Sequence, residues 1–162
     1  MSYQEGKKMK KLFQKMYERI ASGQSVVLAS IIASSGSTPR GAGARMIVCE
    51  NGESFGTIGG GAVEYKSQQL AKEVIASKQS YAKGFILTAN QVEDLGMICG
   101  GDVTVYFQYF AGGDPKNIEL LQKILAVFDC NVNSWIVTDI TDEVAWGLAV
   151  YVQEEGIFGS EN

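Results

Sequence analysis

The chain has 162 residues, of which 46% are hydrophobic and 20% charged, with a formal net charge of -4. These values are typical of one folded domain, and the acidic balance argues against a nucleic-acid backbone as the main partner. The sequence contains no histidine, which excludes Ser-His-Asp and Cys-His catalysis and histidine-ligated metals.

No signal peptide or membrane-spanning apolar run is evident, so we expect a protein that does not cross the membrane. The three cysteines fit no zinc-binding spacing, and reduced thiols in the cytoplasm are the default expectation.

Hydrophobic periodicity and turn residues predict the elements in chain order. They are a helix over about 6–21, strands over 24–34, 44–50 and 53–58, a helix over 62–78, strands over 83–89 and 102–110, a helix over about 115–128, and strands over 134–140 and 146–152. Asn51-Gly52 is a strong hairpin signal between the second and third strands. Asp114-Pro115 is a good N-cap and first residue for the last helix.

Helices and strands alternate irregularly in this prediction, and hairpins are frequent. This pattern favours an α/β or α+β fold, with a mixed β-sheet and about three flanking helices, over a fully parallel doubly wound sheet. The Gly112-Gly113 pair is a hinge and the one candidate boundary. We therefore expect a principal domain over 1–110 and a small βαβ-like tail over 111–162 that packs on the same core.

Three loops at the ends of predicted strands are candidate functional segments. Gly59, Gly60 and Gly61 directly precede the second helix, whose N-terminal N–H groups and dipole could hold a phosphate or carboxylate. A tight turn that needs positive φ is the alternative explanation. Glu64, in the first turn, is favoured there by the helix dipole and could also act as a base or orient a ligand.

The first of the three loops contains Gly36, Ser37, Thr38, Pro39 and Arg40. Proline stiffens this loop, and the Arg40 guanidinium suits bidentate contact with phosphate or carboxylate. An ordinary surface arginine is the alternative.

The third loop contains Cys99, Gly100 and Gly101. Cys99 has little steric cover, so its thiol could serve as a nucleophile or a soft metal ligand, although a small buried side chain is the common role of a free cysteine. We interpret Cys49 and Cys130 as structural.

Together the segments "GSTPRGAGARMIV", "GTIGGGAVE" and "LGMICGG" resemble the XdhC/CoxI family over about residues 8–110. The resemblance implies an accessory factor that binds molybdenum cofactor, as molybdopterin or its dinucleotide form, and assists its sulfuration and insertion into a molybdenum hydroxylase. It also implies a homodimer, with the apoenzyme as partner and either a cysteine desulfurase or a separate Rossmann-like chain as further partners. The matching segments are then the candidate cofactor-binding residues. Our own hypothesis is that the helix N-terminus after the glycine triplet holds the phosphate, that Arg40 adds charge, and that Cys99 faces the molybdenum or relays sulfur.

Many members of the family continue into a C-terminal Rossmann-like domain, whose glycine fingerprint is not present in this chain. Two alternatives to a chaperone without turnover stay open. One is a thiol enzyme or sulfur-transfer protein that uses Cys99, with Glu64 as a catalytic candidate. The other is a structural half of a two-component assembly, in which the glycines serve packing.

Overall fold

The computed structural model describes residues 3–34, 43–86, 102–130, 132–139 and 147–159. Its elements are α1 (Tyr3–Ala21), β1 (Val26–Ser34), β2 (Arg45–Cys49), β3 (Ser54–Gly56), α2 (Gly61–Ser77), β4 (Tyr81–Ile86), β5 (Asp102–Phe110), α3 (Pro115–Asp129), β6 (Ser134–Thr138), β7 (Leu148–Val152) and β8 (Gly156–Gly159). In these ranges, three helices accompany a five-stranded sheet of order β3-β2-β1-β5-β4 and a three-stranded sheet of order β6-β7-β8. The predicted mixed fold with hairpins is confirmed.

The chain forms two compact units: one is Val27–Tyr109, and the other combines Met1–Val26 with Phe110–Asn162. The first unit contains the five-stranded sheet and α2, and the second contains α1, α3 and the three-stranded sheet. The predicted division into 1–110 and 111–162 stays a prediction.

In the first unit, α2 covers one face of the five-stranded sheet. Val63, Ala71 and Val74 of α2 are buried and belong to the same apolar cluster as Met46 and Val48 of β2. Side chains alternate between the two faces of a strand. It follows that Arg45, Ile47 and Cys49 lie on the face of β2 away from α2.

The predicted hairpin between β2 and β3 is confirmed. The strands pair antiparallel, with Met46 opposite Gly56, and Gly52 of the turn has a φ of 87°. β3 ends two residues earlier than predicted, because Gly56 has a φ of 81° and a left-handed residue interrupts the extended backbone.

In the second unit, α1 packs on α3. Leu12, Phe13, Met16 and Ile20 are buried on one side of α1, and the Phe13 ring lies 6.2 Å from that of Phe128. Lys7, Lys8 and Lys11 are exposed on α1. Across the described residues, no helix combines the length and apolar character that a membrane crossing needs.

The start of α3 is capped as predicted, since the Asp114 carboxylate accepts a hydrogen bond of 2.9 Å from the Lys116 N–H and Pro115 follows directly. The turn before it is tightly packed. A Cβ on Gly112 would lie 2.2 Å from the carbonyl oxygen of Gly23, so this position needs glycine.

The three-stranded sheet contains one strand that the sequence did not predict, β8, which pairs antiparallel with β7. Trp135, Tyr151 and Ile157 are aligned across the three strands and are exposed. Leu148, Val150 and Val152 point to the other face and are buried.

Candidate functional site

Four of the predicted site residues lie in the described part of the chain: Gly59, Gly60, Gly61 and Glu64. The others lie outside the described residues, namely Gly36, Ser37, Thr38, Pro39, Arg40, Cys99, Gly100 and Gly101. The candidate site in the described residues is the segment between β3 and α2. That the three loops lie close together in space stays a prediction.

All three glycines of the triplet have a backbone that side chains rarely adopt. Their φ values are 134° for Gly59, 77° for Gly60 and 63° for Gly61. Gly60, the N-cap of α2, combines this φ with a ψ of -169°, a region that is essentially restricted to glycine. The backbone therefore favours glycine at each of the three positions where the chain enters α2.

The Glu64 carboxylate folds back over the start of its own helix. One oxygen, Oε2, accepts hydrogen bonds from the Thr57 hydroxyl at 2.5 Å, the Ile58 N–H at 3.2 Å and the Gly60 N–H at 2.9 Å. The Thr57 hydroxyl oxygen in turn accepts a bond of 3.1 Å from the Gly59 N–H.

This arrangement resembles a capping box, in which an acidic side chain of the first turn reaches back to the N-cap N–H. The chain thus supplies its own anion to the segment 57–60, and Glu64 is the residue that organises it. The sequence placed Glu64 in the first turn of the helix but could not show these three donors.

Among the described residues, a Cβ on Gly60 would meet no atom within 4 Å, and Gly60 gives α2 no side-chain cap. The first N–H groups of a helix have no partner within the helix. A small anion could therefore approach the first turn of α2 beside the Glu64 carboxylate without displacing a side chain at Gly60.

Arg45 is a candidate that the sequence reading missed. Its Nη1 donates a hydrogen bond of 3.2 Å to the Gly43 carbonyl, whereas its Nε is buried and has no hydrogen-bond partner within the described part of the chain. Burial lowers the pKa of the Arg45 guanidinium below its ordinary value. The sequence feature that could have revealed it is an arginine at the first position of a strand whose other residues are apolar.

Arg45 is also close in the backbone to the segment that leads into the triplet. Its carbonyl oxygen accepts a hydrogen bond of 3.2 Å from the Thr57 N–H. The side chain of Thr57 contacts Glu64, while the side chain of Arg45 lies on the face of β2 away from α2.

The two remaining cysteines differ in exposure: Cys49 is buried in β2, and Cys130 is exposed at the end of α3. Burial of Cys49 agrees with the structural role predicted for it, whereas the exposure of Cys130 gives no support for such a role. Within the described residues, no three acidic or cysteine side chains are grouped in a way that could hold a metal ion.

Comparison with known proteins shows which part of the chain is similar to a known family. Residues 19–85 match the sequence model of the XdhC and CoxI family. The chain is 34% identical to the uncharacterized protein YqeB of Escherichia coli strain K12 over 79 residues, which are 49% of this chain and 14% of YqeB. The resemblance predicted from the motifs is confirmed over 19–85, which includes the first two motifs but not Cys99.

The fold is shared with a solved structure from Bacillus halodurans that is described as a xanthine dehydrogenase. The TM-score is 0.69 at 22% sequence identity, and the match covers 93% of this chain and 45% of the other. Identity at this level supports the fold alone. The chain thus spans less than half the length of both relatives.

Proposed function

Because residues 19–85 carry the XdhC and CoxI family pattern, we propose that this chain is an accessory factor in the maturation of molybdenum hydroxylases of the xanthine dehydrogenase or carbon monoxide dehydrogenase type. In this proposal it binds the molybdenum cofactor, assists its sulfuration and delivers it to the apoenzyme. The observation that carries the proposal is that the family segment contains both the first motif and the glycine triplet at the start of α2.

The described residues fit the anionic end of such a cofactor. The molybdenum cofactor carries a terminal phosphate or a pyrophosphate, and helix N-termini with close glycines are suited to such groups. The open side of Gly60 and the orphaned Nε of Arg45 are two places where an anion would gain hydrogen bonds. The cofactor itself would supply the metal and sulfur chemistry when bound.

The residues outside the described part complete the proposal. Arg40 and the loop around it would add charge and hydroxyl donors near the phosphate, and Cys99 would face the molybdenum. These assignments rest on the resemblance of the motifs, and the thiol-enzyme alternative for Cys99 rests on the same cysteine.

A structural role for the triplet is the competing candidate, and one observation favours it. The positive φ values and the Glu64 hydrogen bonds explain all three glycines without a ligand. If the triplet binds a ligand, replacing Gly60 should reduce ligand binding. If the triplet is structural, the replacement should reduce stability alone.

The experiment is cofactor retention by the full chain. The protein is purified from a host that makes molybdenum cofactor, and bound pterin is measured by its fluorescence after oxidation. We expect retention by the unaltered protein and reduced retention by Gly60→Ala, because alanine cannot adopt the Gly60 backbone without strain of about 1–3 kcal/mol.

Gly84→Ala is the matched control. Gly84 lies in β4, where a Cβ would meet nothing within 4 Å and the φ is not positive, so retention and stability should stay near those of the unaltered protein. No pterin above background, together with no protection of added cofactor, would overturn the proposal. Lost stability with normal retention in Gly60→Ala would favour the structural candidate.

We further propose that the protein acts in the cytoplasm as a homodimer and meets a molybdenum hydroxylase apoenzyme there. Light scattering would measure the oligomeric state, and co-purification with the apoenzyme, a cysteine desulfurase or a Rossmann-like chain would identify the partners. A monomer at all concentrations would contradict the dimer without affecting the cofactor proposal.

A further inference from the structure

The guanidinium of Arg45 is a charged group with a buried, unpartnered nitrogen in the described part of the chain. Its Nε is shut off from solvent without a hydrogen-bond partner, and within the described residues its side chain makes one hydrogen bond, to the neutral Gly43 carbonyl. A buried charge without an opposite charge destabilises a fold strongly. An anion from a ligand would supply the missing opposite charge and a partner for Nε.

The geometry of the guanidinium indicates which edge is available. Nη1 lies on the side of Cδ and is the nitrogen that donates to Gly43. Nε and Nη2 form the opposite edge, whose two parallel N–H groups suit bidentate contact with a phosphate or carboxylate. The hydrogen bond to Gly43 uses Nη1 and orients the guanidinium. It does not use the edge formed by Nε and Nη2, which is the edge that a ligand would contact.

Nε is closed to solvent in this structure, so an anion would reach this edge only after the groups that cover Nε move. Arg45 as a residue is half-buried, and it stands at the first position of β2, where the strand begins. Partial burial excludes much of the competing water, which strengthens an ion pair formed there compared with one on an open surface. Burial also lowers the pKa of the Arg45 side chain.

We propose that the Nε edge of Arg45 is an anion-binding site for a phosphate or pyrophosphate group, on the face of the five-stranded sheet away from α2. If the proposed function holds, on which this identification rests, the group is the terminal phosphate or pyrophosphate of the cofactor. This gives the anionic end of the ligand a position distinct from the N-terminus of α2, where Glu64 already supplies a carboxylate.

The test measures thermal unfolding of the full chain in chloride buffer, with and without inorganic pyrophosphate. We expect pyrophosphate at a hundredfold excess over its dissociation constant to raise the Tm by about 5–10 °C. Arg45→Met should lose this shift. In chloride buffer alone, Arg45→Met should unfold at the same temperature as the unaltered protein or higher, because it removes an uncompensated charge.

Two further variants distinguish loss of the anion site from a general effect of removing a positive charge. Lys72→Met removes an exposed charge of α2 and should keep the full shift. Arg45→Lys keeps the charge but lacks the two-pronged edge, so it should fold and bind pyrophosphate at least about tenfold more weakly. Absence of a shift in the unaltered protein would overturn the site, as would a shift that persists in Arg45→Met. A lower Tm of Arg45→Met in chloride, beyond that of Lys72→Met, would make Arg45 a structural residue.

The retention assay separates this inference from the proposed function. A pyrophosphate shift that depends on Arg45, with no pterin retained, would support the anion site and reject the cofactor role. Pterin retention that Arg45→Met does not reduce, with no pyrophosphate shift, would support the cofactor role and reject the site.

Discussion

Glu64 organises the entry into α2, and its removal should weaken the whole fold measurably. Glu64→Ala deletes the oxygen that accepts hydrogen bonds from Thr57, Ile58 and Gly60. Hydrogen bonds to charged groups contribute about 1.5–3 kcal/mol each to stability, and loss of a helix cap costs about 0.5–2 kcal/mol. Water can replace part of the lost acceptor because Glu64 is half-buried, so we expect a total loss of about 2–3 kcal/mol.

The assay is urea unfolding followed by circular dichroism, with linear extrapolation to water. Glu64→Gln keeps a neutral acceptor in place and should lose about 1 kcal/mol, since uncharged hydrogen bonds are weaker. Glu73→Ala is the control, because Glu73 is exposed on the same helix and should change stability by no more than about 0.5 kcal/mol. If Glu64→Ala were as stable as Glu73→Ala, the carboxylate would not hold the segment 57–60.

Two other predictions concern packing and pH. Gly112→Ala should destabilise by at least about 1–3 kcal/mol in urea unfolding, because its Cβ would overlap the Gly23 carbonyl, and by more than Gly113→Ala, which is strained but meets nothing closer than 3.9 Å. Burial, and secondarily Glu73, raises the pKa of Tyr81, so folding favours the neutral phenol. Stability should be complete below about pH 10 and fall above it, and Tyr81→Phe should make the urea midpoint less dependent on pH between about 9 and 11. A greater loss in Gly113→Ala, or an equal pH dependence in Tyr81→Phe, would contradict these expectations.

Some elements could be predicted correctly because neighbouring residues alone determine where they form. The periodicity of Leu12, Phe13, Met16 and Ile20 predicted α1 because its buried face repeats at helical spacing. Asp114 and Pro115 located the start of α3 because capping is a property of adjacent residues. Asn51-Gly52 located the hairpin for the same reason.

β8 was missed because its strand character depends on a partner. It has only four residues, two of them glycines at its ends, so no alternation is long enough to detect. Its backbone becomes a strand by pairing with β7, where Tyr151 lies opposite Ile157. Such pairing between separate segments stabilises a strand in context and leaves a weak mark on the sequence.

The sequence alone was enough to predict that the glycine triplet precedes a helix, that Glu64 lies in its first turn, and that about residues 8–110 resemble the XdhC/CoxI family, a resemblance confirmed over 19–85. The hydrogen bonds that the Glu64 carboxylate accepts, and the buried Nε of Arg45 that has no partner among the described residues, became visible only in the folded chain. This division follows from the distance along the chain over which each interaction acts. Caps and periodic faces are set by neighbours within a few residues, whereas burial of Arg45 and the reach of Glu64 depend on how β2, β3 and α2 are brought together.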